Sequence, residues 1–190
     1  DILNLLPARG VQVIDLEGLA NHRGSLFGAV GPQPAQRGFE GRLAMAFAAL
    51  DPSRPVVVEA ESAKVGNLRL PPNLWKAMLA APRITLSAPL AARAAYLTRA
   101  YGDLTGDIPR LSGLIGQLRP LHPAERIAEW TALAATGNFA PLAEELMSRH
   151  YDPRYARHRA RMAEPLAQIE AGGLTPADLP ALADRLAEAV

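Results

Sequence analysis

Two carboxylates follow a short apolar segment near the start of the chain. Residues 11–14 are mostly apolar and lead into Asp15 and Glu17, which predicts a buried strand that ends in acidic side chains. Ligands of open α/β sheets lie beyond the carboxyl ends of the strands. Asp15 is therefore suited to hold a metal-bound water beside a phosphate group. The alternative is that it caps the next helix or pairs with Arg23.

The following polar loop has the composition of an anion site. His22, Arg23 and Ser25 surround Gly24. Arginine binds phosphate through two parallel hydrogen bonds, and glycine lets backbone N–H groups approach an anion. We interpret Arg23 as a phosphate ligand, with an ordinary surface turn as the alternative.

A cluster of amide and charged side chains precedes the next predicted helix. It consists of Gln33, Gln36, Arg37 and Glu40. Amides form hydrogen bonds with base edges and phosphates, which favours substrate binding. The alternative is that these residues cap the helix.

A second acidic cluster follows the apolar segment 56–58. Glu59 and Glu61 are two residues apart, so in an extended segment their side chains share one side, and Lys64 follows. These residues could orient a cation or a sugar hydroxyl. The alternative is a solvated strand end.

The segment 150–161 combines arginines with tyrosines. Arg154, Arg157 and Arg161 share one face of a predicted helix, and Tyr151 and Tyr155 lie among them. Arginines that neutralise phosphates, with aromatic rings that stack on bases, are typical of RNA binding. Ion pairs with nearby glutamates are the alternative.

Composition narrows the class of protein. The 190 residues carry a net charge of +1 and contain no cysteine, which excludes disulfides and thiolate chemistry within this chain. No run of about 18 apolar residues occurs, so we expect no transmembrane helix and place the protein in the cytoplasm.

The elements that must position these residues alternate between strand and helix in the first half. Predicted strands at 11–16, 56–59 and 83–86 and helices at 1–8, 38–50 and 73–81 indicate a parallel sheet flanked by helices. Helices dominate after Pro89, and a last one is predicted from Pro176. We predict the α/β class, with an α/β part at 1–89 and a helical C-terminal region at 90–190.

Four segments, in chain order, resemble the C-terminal domain of the tRNA 2-selenouridine synthase family. They are DLEGLANHRGSLFG (15–28), GPQPAQRGFE (31–40), VVVEAESAKVGNLRLP (56–71) and HYDPRY (150–155). The resemblance covers nearly the whole chain. The combination of HRGS, QPxQxxFE and HYDPxY is specific, although each motif alone is weak.

The resemblance implies a transferase that modifies the wobble uridine of tRNA. This family geranylates 2-thiouridine from geranyl diphosphate and then replaces the geranylthio group with selenium from selenophosphate. It joins a P-loop-type domain to a rhodanese-like domain, and its macromolecular partner is the anticodon stem–loop. No cofactor is certain, and Mg²⁺ stays open. The alternatives are a P-loop nucleotide hydrolase or kinase-like domain and a non-catalytic tRNA-binding fragment.

On these grounds we assign catalysis to Asp15 and Arg23 and RNA binding to the basic segment at 150–161. Leu26, Phe27 and Phe39 are candidates for an apolar groove, with core packing as the safer interpretation of Phe39. Substrate binding is assigned to Glu17, His22, Ser25, Gln33, Gln36, Arg37, Glu40, Glu59, Glu61 and Lys64.

Two parts of the family pattern have no counterpart in this sequence. One is the phosphate loop, GxxxxGK followed by Ser or Thr, and the other is the rhodanese cysteine. We therefore expect this chain to be a fragment that is inactive by itself. Ala35, where the family often has Ser, and Lys64, where it often has Arg, are smaller departures.

Overall fold

The computed structural model describes residues 1–60, 62–159 and 164–190, with the backbone alone at 157–159. Helices and short strands alternate along the chain, as the predicted α/β class requires. The chain forms two compact units. The first consists of Asp1–Thr85 and Asp178–Val190, and the second consists of Leu86–Ala177. The division into 1–89 and 90–190 stays a prediction about domains. The last helix, which that division assigns to the second part, is grouped with the first unit here.

The first unit contains a parallel strand pair and an antiparallel hairpin. β1 and β2 run parallel, with Val13 opposite Val57, whereas β3 and β4 are antiparallel. The hairpin is an addition to the purely parallel sheet expected from sequence. The strands are β1 Gln12–Ile14, β2 Val56–Val58, β3 Lys64–Val65 and β4 Leu68–Arg69. The helices are α1 Leu16–Ala20, α2 Gln36–Ala48, α3 Pro72–Ala80 and α10 Leu179–Glu188.

Apolar side chains from strands and helices form the core of the first unit. Leu16, Phe39 and Val65 are fully buried, and Ile14 and Leu43 are nearly so. α2 contributes Phe39 and Leu43, which are four residues apart and therefore lie on one helix face. This core holds β1, α1, α2 and the β3–β4 hairpin together, and these are the elements that carry the predicted site.

Local structure departs from expectation at both ends of the chain. The helix predicted at 1–8 is instead two 3₁₀ turns, Leu3–Leu5 and Pro7–Arg9, because Pro7 has no N–H to donate to an α-helical ladder. The last helix begins at Leu179 rather than at Pro176, and Asp178 is its N-cap residue. The segment predicted as one strand at 11–16 divides into β1 and the start of α1.

The second unit is mainly helical, as predicted for this half of the chain. β5 ends in this unit and pairs with β6, and the Ala171 N–H donates to the Ser87 carbonyl. Among the described residues, no helix is long and apolar enough to cross a membrane. The strands are β5 Ile84–Ser87 and β6 Ala167–Glu170. The helices are α4 Leu90–Ala100, α5 Gly102–Thr105, α6 Ile108–Gly116, α7 Ala124–Ala135, α8 Phe139–Leu146 and α9 Asp152–Arg159, with a 3₁₀ turn at Arg119–Leu121 and a π-helical turn at Met147–Tyr151.

Candidate functional site

Two carboxylates cap the short helix α1. Asp15 is its N-cap residue, and its Oδ1 accepts the Gly18 N–H at 2.7 Å. Oε1 of Glu59, which follows β2, accepts the Glu17 N–H at 2.6 Å. Helix N-termini carry unsatisfied N–H groups and a partial positive charge, so both contacts stabilise α1. The alternative considered from sequence, that Asp15 caps the next helix, is therefore correct for Oδ1, one of its two carboxylate oxygens.

The loop that follows α1 is a compact turn. We call it the His22–Gly28 loop. The Arg23 N–H donates to the Gly28 carbonyl at 2.8 Å, and the Gly28 N–H donates to the Ser25 carbonyl at 2.9 Å. Gly28 must be a glycine, since a Cβ there would lie 2.8 Å from the Arg23 carbonyl carbon. Arg23 therefore projects from a hydrogen-bonded turn rather than from a loose surface loop.

His22 is neutral and orients the same turn. Burial lowers the pKa of His22 below its ordinary value. Its Nδ1 accepts the Gly24 N–H at 3.1 Å, which requires that nitrogen to be unprotonated. The proton of the neutral ring then resides on Nε2, where it is a potential hydrogen-bond donor.

Asp15, Glu17, His22 and Arg23 line one small cavity. Its volume is about 210 Å³, below the roughly 300–1,000 Å³ typical of drug-sized ligand sites, so it suits a phosphate-sized group. The described residues contain no group of three or more metal-ligating side chains placed to hold a metal ion. The other lining residues are Asp1, Leu3, Asn4, Gly18, Asn21 and Val30.

The two glutamines of the QPxQ motif bind the backbone of the neighbouring hairpin. Gln33 Nε2 donates to the Ala20 and Val65 carbonyls, and its Oε1 accepts the Asn67 N–H. Gln36 Nε2 donates to the Arg69 carbonyl and to the Glu40 carboxylate, and its Oε1 accepts the Arg69 N–H. The structure thus gives both amides partners within the first unit.

The remaining candidates of the first unit are dispersed. Arg37, Glu40 and Lys64 are exposed and do not line the cavity. Ser25 lies within the His22–Gly28 loop, outside the lining. Glu61 lies outside the described residues.

The proposed apolar groove is not formed by the three residues named for it. Phe39 is fully buried in the core and Phe27 is 6% exposed, whereas Leu26 is 36% exposed. Phe39 thus follows the core-packing interpretation, because α2 turns it toward β1 and the hairpin. Leu26 alone of the three stays available to an apolar ligand.

In the second unit, aromatic rings form a continuous series that ends at the surface. We call it the aromatic series: Trp130, His122, His150, Tyr151 and Tyr155. His122 contacts Trp130 edge-on, with 4.8 Å between the ring centroids. The Nε2 atom of His122 lies 2.9 Å from Nδ1 of His150. The ring centroids of His150 and Tyr151 are 4.8 Å apart, and those of the stacked Tyr151 and Tyr155 rings are 6.4 Å apart. The last ring, Tyr155, is 52% exposed.

The basic segment begins beside this series. Arg154 is exposed on α9, and its charge helps to lower the pKa values of His122 and His150, although burial is the larger cause. Asp152 pairs with Arg93 through two 2.8 Å hydrogen bonds, which anchors the start of α9 on α4. The side chain of Arg157 and all of Arg161 lie outside the described residues.

The paired histidines are absent from the sequence-based site. His150 opens the HYDPRY motif, but His122 lies 28 residues earlier in a segment without a motif. The π-helical turn Met147–Tyr151 directs His150 into the unit, where it is 5% exposed. His150 directly before Tyr151, with Tyr155 one helical turn further on, is the sequence signal that could have suggested such a cluster.

Comparison with known proteins finds one family model and several relatives that match this chain. The family model described as "tRNA 2-selenouridine synthase AAA domain" matches residues 2–108. The tRNA 2-selenouridine synthase of Cupriavidus pinatubonensis is 32% identical over 192 residues, covering 86% of this chain and 51% of that protein. That of Hydrogenovibrio crunogenus is 44% identical over 92 residues, covering 46% of this chain and 25% of that protein.

The relatives extend beyond the part of the family that this chain represents. The chain spans about half the length of the first of these relatives. No solved structure matches the chain. Since the family model covers more than half of the chain and carries the segment with the cavity and the QPxQ motif, the chain belongs to the tRNA 2-selenouridine synthase family.

Proposed function

We propose that this chain is part of an enzyme that converts 2-thiouridine at the tRNA wobble position to 2-selenouridine in the cytoplasm. The co-substrates in this proposal are geranyl diphosphate and selenophosphate. The observation that carries it is the small cavity in which Arg23 and neutral His22 lie beside two carboxylates, in a chain of this family. Both co-substrates carry phosphate oxygens, which a cation and an N–H donor recognise.

In the first step, the thiocarbonyl sulfur forms a bond to C1 of the geranyl group while the C1–O bond to diphosphate breaks, and the N3 proton of the thiouridine is released to solvent. Negative charge grows on the departing diphosphate, so a guanidinium held at that point lowers the barrier. Arg23 supplies the guanidinium, because the hydrogen-bonded His22–Gly28 loop presents it at the cavity. The exposed Leu26 follows in the same loop and is suited to contact the geranyl chain.

Asp15 and Glu17, which both line the cavity, are the carboxylates that would hold Mg²⁺, since this ion binds through one or two carboxylates together with substrate phosphates. Such an ion would neutralise charge on the diphosphate. Asp15 Oδ1 is engaged with the Gly18 N–H, so Oδ2 is the oxygen suited to hold a metal-bound water.

For tRNA, we propose a contact at the start of α9. Tyr155 is exposed at the end of the aromatic series, and Arg154 is exposed beside it. A splayed base of the anticodon loop would stack on Tyr155 while arginines neutralise phosphates. This is the role that we propose for Tyr151, Arg154, Tyr155, Arg157 and Arg161.

The experiment uses the full-length protein that contains this chain, with thiolated tRNA as acceptor. Arg23→Ala removes a charge-assisted contact of about 1.5–3 kcal/mol and is expected to lower kcat/KM for geranyl diphosphate about tenfold to a hundredfold. Arg23→Lys should restore only part of the loss, since lysine lacks the bidentate fork. Arg42→Ala, an exposed arginine outside the cavity lining, is the control and should not change kcat/KM.

Competition separates this function from a nucleotide hydrolase or kinase-like domain. Inorganic diphosphate should inhibit geranyl transfer more strongly than ATP does. If the protein hydrolyses ATP and transfers no geranyl group to tRNA, the nucleotide hydrolase or kinase-like function is the correct one.

A further inference from the structure

We infer that Gln33 is a positioning residue that holds Arg23 at the cavity through the backbone on either side of the His22–Gly28 loop. This inference rests on the proposed function only for the identity of the ligand. The structural part concerns hydrogen bonds within the first unit. It departs from the substrate-binding role assigned to Gln33 from sequence.

The amide of Gln33 connects three backbone segments that are distant in sequence. Nε2 donates to the Ala20 carbonyl at 3.1 Å and to the Val65 carbonyl at 3.0 Å, and Oε1 accepts the Asn67 N–H at 2.8 Å. A glutamine has only two amide hydrogens, and both have acceptors here. Gln33 therefore has no further N–H to donate to a substrate anion.

One of these acceptors ends the helix from which the loop departs. Ala20 is the last residue of α1, and Asn21 follows it with a left-handed φ of 51°. Asn21 Nδ2 donates to the Pro32 carbonyl at 3.0 Å. The two side-chain contacts, Gln33 to Ala20 and Asn21 to Pro32, thus join the entry and the exit of the segment that contains Arg23.

The other acceptors place the β3–β4 hairpin against the same loop. Gly66, in the turn of the hairpin, has a φ of +60°. A Cβ on Gly66 would lie 2.5 Å from Gln33 Oε1 and 2.8 Å from His22 Cδ2. The glycine lets the turn approach both side chains, so Gln33, the hairpin turn and the His22 ring pack against one another.

Gln12 offers a matched comparison at the other end of β1. Its Nε2 lies 3.1–3.3 Å from the carbonyls of Asp51, Arg54 and Pro55, and its Oε1 accepts the Asp51 N–H. It is thus a second glutamine that holds a loop through its amide. That loop does not line the cavity, so loss of Gln12 should affect stability and leave Arg23 in place.

The test compares Gln33→Met with Gln12→Met, each of which keeps side-chain length and removes the amide. In this chain, hydrogen exchange of the Arg23 amide, which bonds to the Gly28 carbonyl, should accelerate at least about tenfold in Gln33→Met through local opening. It should be unchanged in Gln12→Met. The NMR titration of His22 should shift toward the ordinary histidine value only in Gln33→Met. Equal exchange in the two variants overturns the inference, whatever the activity shows.

Activity is then measured in the full-length protein. Displacement of the loop should lower kcat/KM for geranyl diphosphate about tenfold to a hundredfold in Gln33→Met. In the Arg23→Ala background, the same substitution should cost less than it does in the unmodified protein, because the part of its effect that acts through Arg23 is already lost. An additive loss contradicts the positioning role. If exchange changes as expected while Arg23→Ala leaves kcat/KM unchanged, the proposed function fails and the structural part of the inference stands.

Gly66→Ala provides a second route to the same displacement, since its Cβ would push the intact Gln33 amide and the His22 ring out of place. It should accelerate exchange at Arg23 and lower kcat/KM as Gln33→Met does. Full activity in a folded Gly66→Ala protein with fast exchange at Arg23 would show that the enzyme does not need the loop held in place.

Discussion

At the scale of single residues, Asp15 and His150 have structural contacts that any functional test must separate from chemistry. Asp15 caps α1 through one carboxylate oxygen, and the cavity lies beside it. His150 is buried at the centre of the aromatic series and bonds to His122. For Asp15, an isosteric substitution distinguishes the hydrogen bond from the charge. For His150, the pH dependence of stability tests whether the neutral ring is buried.

For Asp15, we predict that stability and activity separate. Asp15→Ala removes the cap and should lower the free energy of unfolding by about 0.5–2 kcal/mol. Asp15→Asn keeps the acceptor oxygen, so denaturant unfolding should be close to that of the unmodified protein while geranyl transfer is lost. The control is Asp107→Ala, which removes the equivalent cap of α6 and should cost stability without affecting activity. An active Asp15→Asn enzyme would remove Asp15 from catalysis.

For His150, we predict a loss of stability in acid. Burial, then the charge of Arg154 and then His122 lower the pKa of His150 to about 4. Because the folded-state pKa lies below the unfolded value of about 6.5, the unfolded chain takes up the proton first as the pH falls. Stability should therefore decline between about pH 6.5 and 4, by at most about 1.4 kcal/mol per pH unit from this group.

The measurement for His150 is denaturant unfolding at several pH values. His150→Gln removes the titrating group, so its stability should depend less steeply on pH across this window. Burial also lowers the pKa of His122 and His22, so part of the slope should persist. A slope equal to that of the unmodified protein would contradict the burial of a neutral His150.

At the scale of elements, α9 has a fixed start and exposes Arg154. The Arg93–Asp152 pair holds its first turn, and the preceding π-helical turn sets the direction of His150 and Tyr151. Glu145 approaches Arg126 at 3.9 Å and Arg149 at 3.8 Å. Glu145 is one of the glutamates that could pair with Arg154, Arg157 and Arg161, and it already lies close to two other arginines.

For the segment 154–161, we predict that its arginines neutralise tRNA phosphates. Replacing Arg154, Arg157 and Arg161 by glutamine should weaken tRNA binding and reduce the log–log salt slope by about 0.7–0.9 for each lost contact. Binding of geranyl diphosphate, measured in the absence of tRNA, should change little. Arg110→Gln, which removes an arginine 3.7 Å from Asp103, is the control for general loss of charge. A lower melting temperature with an unchanged salt slope would assign the arginines to intramolecular ion pairs.

At the scale of the whole molecule, the chain folds into two compact units and spans about half the length of its first curated relative. Its first unit contains the cavity, and its second contains the aromatic series. These 190 residues contain neither a cysteine nor the pattern GxxxxGK followed by Ser or Thr.

We therefore predict that this chain alone forms neither geranylated nor selenated tRNA. The assay is mass analysis of wobble nucleosides after incubation with thiolated tRNA, geranyl diphosphate and selenophosphate. The full-length protein is the positive control. Product formed by this chain, purified free of full-length enzyme, would contradict the prediction and show that the described cavity is sufficient for chemistry.

The order of elements and the family could be read from the sequence because both depend on local pattern. Apolar periodicity predicted most helices to within a few residues, since helix faces repeat over three or four positions. The motifs around Asp15, Arg23 and the two glutamines identified the family, and the structure brings Asp15 and Arg23 to one cavity. Pro7 and the hairpin turn at Gly66 are local features whose consequences for backbone geometry the sequence pattern did not reveal.

Only the tertiary structure decided which polar side chains are engaged with the protein itself. Gln33 has the composition of a substrate ligand, yet both of its donors bind backbone carbonyls, one of which lies 32 residues away. His122 and His150 meet across 28 residues because α7, α8 and the π-helical turn fold back on one another. Sequence spacing determines which residues share a helix face, whereas contacts between elements depend on how the chain packs, and a one-dimensional pattern does not contain that information.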